Sequence, residues 1–167
     1  MEWVEEEGKL KSEVFEKALN RIGLTEEKVK IEIIEENKRK FGILGSNYIK
    51  MRVHYDPVDQ IVSMAREIVE NILNKMDITS VVEKVESNVG LCFNITSPQS
   101  ALIIGKHGQT IDALQYIVNR MVGKKMDRKA NIVLDTENYR EKHVGKIESM
   151  AKRMAEQVES TGQPVVL

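Results

Sequence analysis

Two glycines three positions apart, in Ile103-Ile104-Gly105-Lys106-His107-Gly108-Gln109-Thr110-Ile111, are the sharpest local feature of this 167-residue chain. Glycine has no side chain beyond hydrogen, so a turn bounded by Gly105 and Gly108 lets a ligand approach the backbone closely. Helical periodicity resumes right after Gly108, so unpaired amides and the positive end of a helix dipole, at Gln109, Thr110 and Ile111, face whatever the turn holds. Lys106 adds a mobile cation and His107 a second donor. That chemistry is a phosphate cradle. Helical hairpins also use glycine for geometry alone, so the turn has to be read in its context.

Other constellations are poor. His54, His107, His143 and Cys92 show no metal-ligand spacing, and neither a zinc-protease helix nor a P-loop is present. Serines and carboxylates are numerous but stand beside no recognisable base. The expectation is therefore no catalytic residue, no metal and no cofactor. Cys92, in Leu91-Cys92-Phe93, reads as a small buried hydrophobe, and a single cysteine permits no internal disulfide. One Trp, four Tyr and three Phe, with no spaced aromatic pair on a strand, argue against an RRM-type stacking sheet. Tyr116 reads as a packing residue.

The net charge of -1 hides a block structure. Residues 1–37 carry 6 Lys and Arg against 11 Asp and Glu, residues 38–52 carry 5 against none, and residues 105–153 carry 11 against 6. A polyanion feels local potential within about 8–10 Å, so two basic segments on a nearly neutral chain suffice to hold one. Arg120, Lys124, Lys125 and Arg128 lie in the second segment. In the first, Lys38, Arg39 and Lys40 precede Phe41 on a glycine-punctuated connection that suits RNA, an acidic partner or an anionic membrane surface. No apolar run approaches the roughly 18 residues needed for a membrane span. The acidic start, Met1-Glu2-Trp3-Val4-Glu5-Glu6-Glu7, is unlike a signal peptide, which points to a reducing cytoplasm.

The elements that must position the turn follow from periodicity. Residues 1–7 read as a strand, and Leu10, Val14, Phe15, Ala18, Leu19 and Ile22 as one face of a helix, with Ser12 able to cap it and Gly23 at its stop. Val29, Ile31 and Ile33, then Ile49, Met51 and Val53, alternate as half-buried strands do. Asp56-Pro57-Val58-Asp59 starts a second helix of about five turns and marks a domain boundary. Val81–Val85 and Gly90–Thr96 read as strands, and Ser97-Pro98 opens a short helix that stops at Gly105. The helix after Gly108 carries Ile111, Leu114, Ile117, Val118, Met121 and Val122 on one face and ends at Gly123 with Lys124 and Lys125. Residues 130–134 are apolar enough to lie inside a sheet, and residues 138–158 form a last helix. Thr161-Gly162-Gln163-Pro164 breaks that helix before the apolar Val165-Val166-Leu167.

The order helix, strand, strand, helix, helix, strand around Gly-Lys-His-Gly resembles the type II KH domain. Residues 102–118, Leu-Ile-Ile-Gly-Lys-His-Gly-Gln-Thr-Ile-Asp-Ala-Leu-Gln-Tyr-Ile-Val, look like its signature almost throughout. The resemblance implies a Gly-x-x-Gly loop that grips about four single-stranded nucleotides. It places Lys106 and His107 at phosphates and Ile111 near the bases. Glu7-Gly8-Lys9 before a helix, and Lys40-Phe41-Gly42-Ile43-Leu44-Gly45-Ser46, resemble the N-terminal domain of the bacterial Jag family, also called KhpB or EloR, the SpoIIIJ-associated RNA-binding proteins. Residues 134–142 and 161–167 resemble the stretch leading into that family's R-three-H domain, whose signature the chain does not reach; Arg140 and His143 have only two residues between them.

The expected architecture is α+β. A small strand-helix-strand-strand domain (1–55) precedes a type II KH domain (56–136) and a helix (137–167) leading into a truncated R-three-H domain. The leading functional reading is a regulatory single-stranded RNA-binding protein. The alternative is an adaptor that pairs with a small KH-domain protein or with itself, linked to cell-envelope or cell-elongation control.

Overall fold

The computed structural model describes residues 1–37, 48–87 and 90–164, and the fold is α+β as expected. Its contacts divide into two units. One takes Met1–Ile68 with Met121–Arg128, and the other takes Val69–Arg120 with the chain from Lys129 onward.

In the first unit, strands β1 (Glu2–Gly8), β2 (Val29–Asn37) and β3 (Tyr48–Tyr55) form an antiparallel sheet in the order β1-β3-β2. Burial alternates along β3 as its sequence requires, turning Ile49, Met51, Val53 and Tyr55 inward. Helix α1 (Lys11–Ile22) meets them with Val14, Ala18 and Ile22, four residues apart on one face. Ser12 does not cap this helix: Leu10 is its N-cap, and no side chain closes the end. Gly23 ends it as expected, in the left-handed conformation with its amide donating to the Leu19 carbonyl at 2.7 Å. Strand β2 departs from the half-buried strand expected. Ile31 and Ile33 pair with Val53 and Met51 and share their face, yet are 42% and 41% exposed. The helix packs on β1 and β3, so edge strand β2 extends past its cover.

The other face of this sheet is a ladder of charge. Arg52 donates to Glu5 on one neighbouring strand at 2.7 Å and to Glu32 on the other at 3.4 Å. Lys50 lies 2.9 Å from Glu5, His54 lies 3.1 Å from Glu32, and the Arg52 guanidinium sits 4.6 Å over the Trp3 ring. Hydrogen bonds from Lys50 and Arg52 hold the Glu5 carboxyl below the ordinary carboxylate range, and that from His54 does the same for Glu32.

Helix α2 (Pro57–Lys75) starts where the sequence places it, with the Asp56 carboxylate accepting the Val58 amide at 2.8 Å. Its first turns are tied to the end of α1: Gln60 donates to the Ile22 carbonyl and Ser63 to the Gly23 carbonyl, both at 2.9 Å.

In the second unit, β4 (Val81–Val85), β5 (Leu91–Thr96) and β6 (Ile132–Asp135) form a sheet in the order β4-β5-β6, antiparallel then parallel. Phe93, Ile95, Ile103, Ile111, Val118 and Leu134 make its fully buried core, and Cys92 is buried as expected. Segment 130–134 does not lie inside the sheet; β6 is an edge. Side chains of helix α4 (Gln109–Met126) close that edge. Asn119 donates to the Ile132 carbonyl at 2.7 Å and accepts its amide at 2.8 Å, and Gln115 accepts the Leu134 amide at 2.9 Å. These amides satisfy the backbone groups a further strand would have taken, so an apolar strand can stand at an edge.

Helix α4 also runs past Gly123, its expected stop, to Met126, and Asp127 with a φ of 49° breaks it. Helix α5 (Tyr139–Thr161) ends at Gly162 and buries none of its residues, leaving Val144, Ile147, Met150 and Val158 exposed. Residues 165–167 lie outside the described residues. No helix among those described is long and apolar enough to cross a membrane.

Candidate nucleic-acid interface

The short helix α3 (Ser100–Ile104) is anchored by fully buried Ile103 and stops at Gly105, whose amide donates to the Ala101 carbonyl at 3.0 Å. Gly105 has φ 70° and ψ -170°, a conformation essentially confined to glycine. His107 follows in the left-handed region (φ 54°, ψ 27°), Gly108 has φ 84°, and α4 begins at Gln109. Lys106 and His107 are both turned to solvent, whereas Gly108 is buried.

The glycines do more than clear the way for a ligand. A Cβ on Gly105 would fall 2.0 Å from Thr110 Oγ1, and one on Gly108 would fall 2.8 Å from the Tyr139 ring. The loop is therefore pinned on both sides by its own neighbours. Arg140 fixes the start of α5 beside it, donating to Asp112 at 2.8 Å, to Gln115 at 3.0 Å and to the Leu134 carbonyl at 3.1 Å. Its role is structural.

Gly105, Lys106, His107 and Gly108 thus form one turn that runs directly into Gln109 and Thr110 at the start of α4. Ile111, expected near the bases, is 0% exposed and belongs to the core beneath the turn. Apolar surface stands elsewhere: Leu102 on α3 is 59% exposed, and on α4 Tyr116, expected to pack, is 70% exposed, with Ile117 and Met121 also open. Periodicity locates an apolar stripe but not how much of it a partner element covers.

Arg120 is exposed three turns further along α4, about 16 Å from Gln109 by helical rise. Lys124 and Lys125 occupy its last turn, and Arg128 follows the helix, all three exposed and counted with the first unit. Of the five cations in residues 38–52, Lys50 and Arg52 are matched by Glu5 and Glu32. Lys38, Arg39, Lys40 and Phe41 lie outside the described residues. Among the described residues no three His, Cys, Asp or Glu gather as a metal site.

Residues 62–134 match the family model of the KhpA/KhpB KH domain, and residues 7–55 that of the Jag N-terminus. The chain is 32% identical over 163 residues to the RNA-binding protein KhpB of Bacillus subtilis (strain 168), a match covering 96% of this chain and 76% of that protein. It is 31% identical over 169 residues to the RNA-binding protein KhpB of Clostridium symbiosum, covering 100% of this chain and 75% of that one. A Jag N-terminus, then a KH domain with an intact Gly-Lys-His-Gly turn, and likeness to these two proteins along nearly all of this chain lead to one conclusion: the chain belongs to the KhpB family.

Proposed function

We propose that this chain is a cytoplasmic regulatory protein that holds single-stranded RNA in the Gly105–Gly108 turn without catalysing a reaction. The observation that carries this reading is the pinned turn at the start of the 18-residue α4, with Lys106 and His107 free to meet phosphates. The names of the relatives agree with it. Arg120, exposed on the same helix within this unit, adds positive charge beyond the four nucleotides such a turn grips.

Binding of a labelled single-stranded RNA at several salt concentrations tests the reading. Each neutralised phosphate should contribute a slope of roughly -0.7 to log affinity against log salt. Lys106→Asp with His107→Asp is expected to weaken binding at least about tenfold, roughly 1.4 kcal/mol, with thermal unfolding unchanged because both side chains are exposed. Unchanged affinity in a folded variant overturns the reading. A flat salt dependence in the parent chain favours pairing with another KH protein, for which exposed Tyr116, Ile117 and Met121 are the supporting observation.

In this reading the labour divides as 1–55, 56–136 and 137–167, and the N-terminal domain is dispensable for RNA. A fragment beginning at Asp56 loses the ties of Gln60 and Ser63 to α1 and melts earlier. Its RNA affinity should stay within about tenfold of the full chain, and a larger loss would place residues 1–55 in the site.

A further inference from the structure

The cationic face of α5 adjoins the turn, and nothing so far accounts for it. Gly108 packs directly against Tyr139 in the first turn of α5. Beside them opens a cleft of about 190 Å³ lined by Ile104, Glu137, Tyr139, Lys142, His143 and Lys146. Ile104 immediately precedes Gly105, so the cleft borders the turn itself. Beyond Lys146 the same helix face continues as an open groove past Ser149 and Met150 to Arg153. Positions 139, 142, 146, 149 and 153 advance by three and four and therefore lie in one row.

Charge on this row has one sign. Lys142, Lys146 and Arg153 are exposed, and none has an ion-pair partner among the described residues, unlike Lys50 and Arg52 on the first sheet. Of the acidic residues of α5, Glu141, Glu148 and Glu159 fall on other positions of the helix, and Glu156, three residues beyond Arg153, ends the cationic stretch of the row. Glu137, at the mouth of the cleft, accepts a hydrogen bond from Ser100 at 2.6 Å. From Lys142 to Arg153 the row spans about 16 Å. Flat and apolar groups interleave with the cations: the Tyr139 and His143 rings are stacked with centroids 5.3 Å apart, and Met150 is open.

We infer that an RNA strand leaving the turn continues over the Tyr139–His143 stack and along α5, with Lys142, Lys146 and Arg153 at successive backbone phosphates. This rests on the RNA reading of the turn. Cations alternating with flat and apolar side chains along a groove are the arrangement that holds single strands without sequence readout, since every base presents a π face. Continuity with the turn selects the same strand over a separate partner.

The test compares a 4-nucleotide and a 12-nucleotide oligouridylate on the full chain and on Lys142→Gln with Lys146→Gln and Arg153→Gln, each checked by circular dichroism. The parent chain is expected to bind the 12-mer at least tenfold more tightly than the tetramer. The triple variant should lose that advantage while keeping the tetramer affinity within about twofold, and its 12-mer salt slope should be shallower by about 2. A 12-mer no tighter than the tetramer, or a triple variant that binds both as the parent does, overturns the α5 track. Equal weakening of both lengths also overturns it, because that marks a general loss of positive potential. Lys106→Asp with His107→Asp separates the two claims: unchanged tetramer binding in that variant sinks the turn, whereas weakened tetramer binding there together with an undiminished 12-mer advantage in the triple variant sinks only the track.

Discussion

Gly105→Ala is expected to lower the stability of the chain by about 3 kcal/mol and to take RNA affinity down with it. Two causes add. The backbone at φ 70° and ψ -170° costs a residue with a Cβ roughly 1–3 kcal/mol. The new methyl would also sit 2.0 Å from Thr110 Oγ1 and 2.7 Å from Thr110 Cβ, closer than real contacts allow, so the first turn of α4 has to shift. That turn carries the amides proposed to face the RNA. For a chain of this size the loss corresponds to a fall of about 6–12 °C in melting temperature, read by circular dichroism. Adding Thr110→Ala removes the hydroxyl contact but leaves the backbone cost, so the double variant should recover part of the loss. A Gly105→Ala chain that melts with the parent would mean that the turn does not have this backbone.

The second large effect is expected away from the ligand, at Asn119→Leu. Leucine keeps the approximate volume and helix propensity but leaves the Ile132 amide and carbonyl without their partner, and Ile132 is itself 1% exposed. Each buried backbone group left unmatched costs about 1–3 kcal/mol, which puts the total near 3 kcal/mol. Trp3, the only tryptophan, sits in the first sheet and reports on the wrong unit. Hydrogen exchange at the Ile132 and Leu134 amides is the suitable measurement, and both should exchange on the order of a hundredfold faster. A variant whose Ile132 amide keeps its protection would show that β5 alone holds β6 in place.

The order of elements was legible because its signals are local. Asp56-Pro57 sets the start of α2, Gly23 the end of α1, and the alternation in residues 49–55 the central strand of the first sheet. What stayed hidden depends on which element covers which face. Ile31 and Ile33 alternate like core residues, but α1 does not reach over them. Ile111 and Ile117 share a helical stripe; one is sealed and the other open. Gly123 looked like a stop, yet a helix tolerates glycine at a cost near 1 kcal/mol, and the break came at Asp127. The charge ladder has a local signal in the sequence: Glu5 and Glu7 on β1, and Lys50, Arg52 and His54 on β3, fall on every second residue, and Glu32 on β2 pairs with Arg52. Summing charge over residues 38–52 hid that two of those cations are neutralised across the sheet. At the site, the turn was visible as a motif. The cleft beside it was not, because Tyr139 and Lys142 come from more than thirty residues away.

The side-chain closure of β6 also limits how copies of this unit can join. A chain of molecules linked strand to strand needs two open edges on each sheet, one to give and one to receive. Here Asn119 and Gln115 occupy one edge, and among the described residues the outer side of β4 is the edge left without a strand partner. Strand addition through this sheet can therefore bring together two copies about a twofold axis, β4 against β4, and then stops, since the pair presents no further edge. Fibre growth by that route is excluded by two amides.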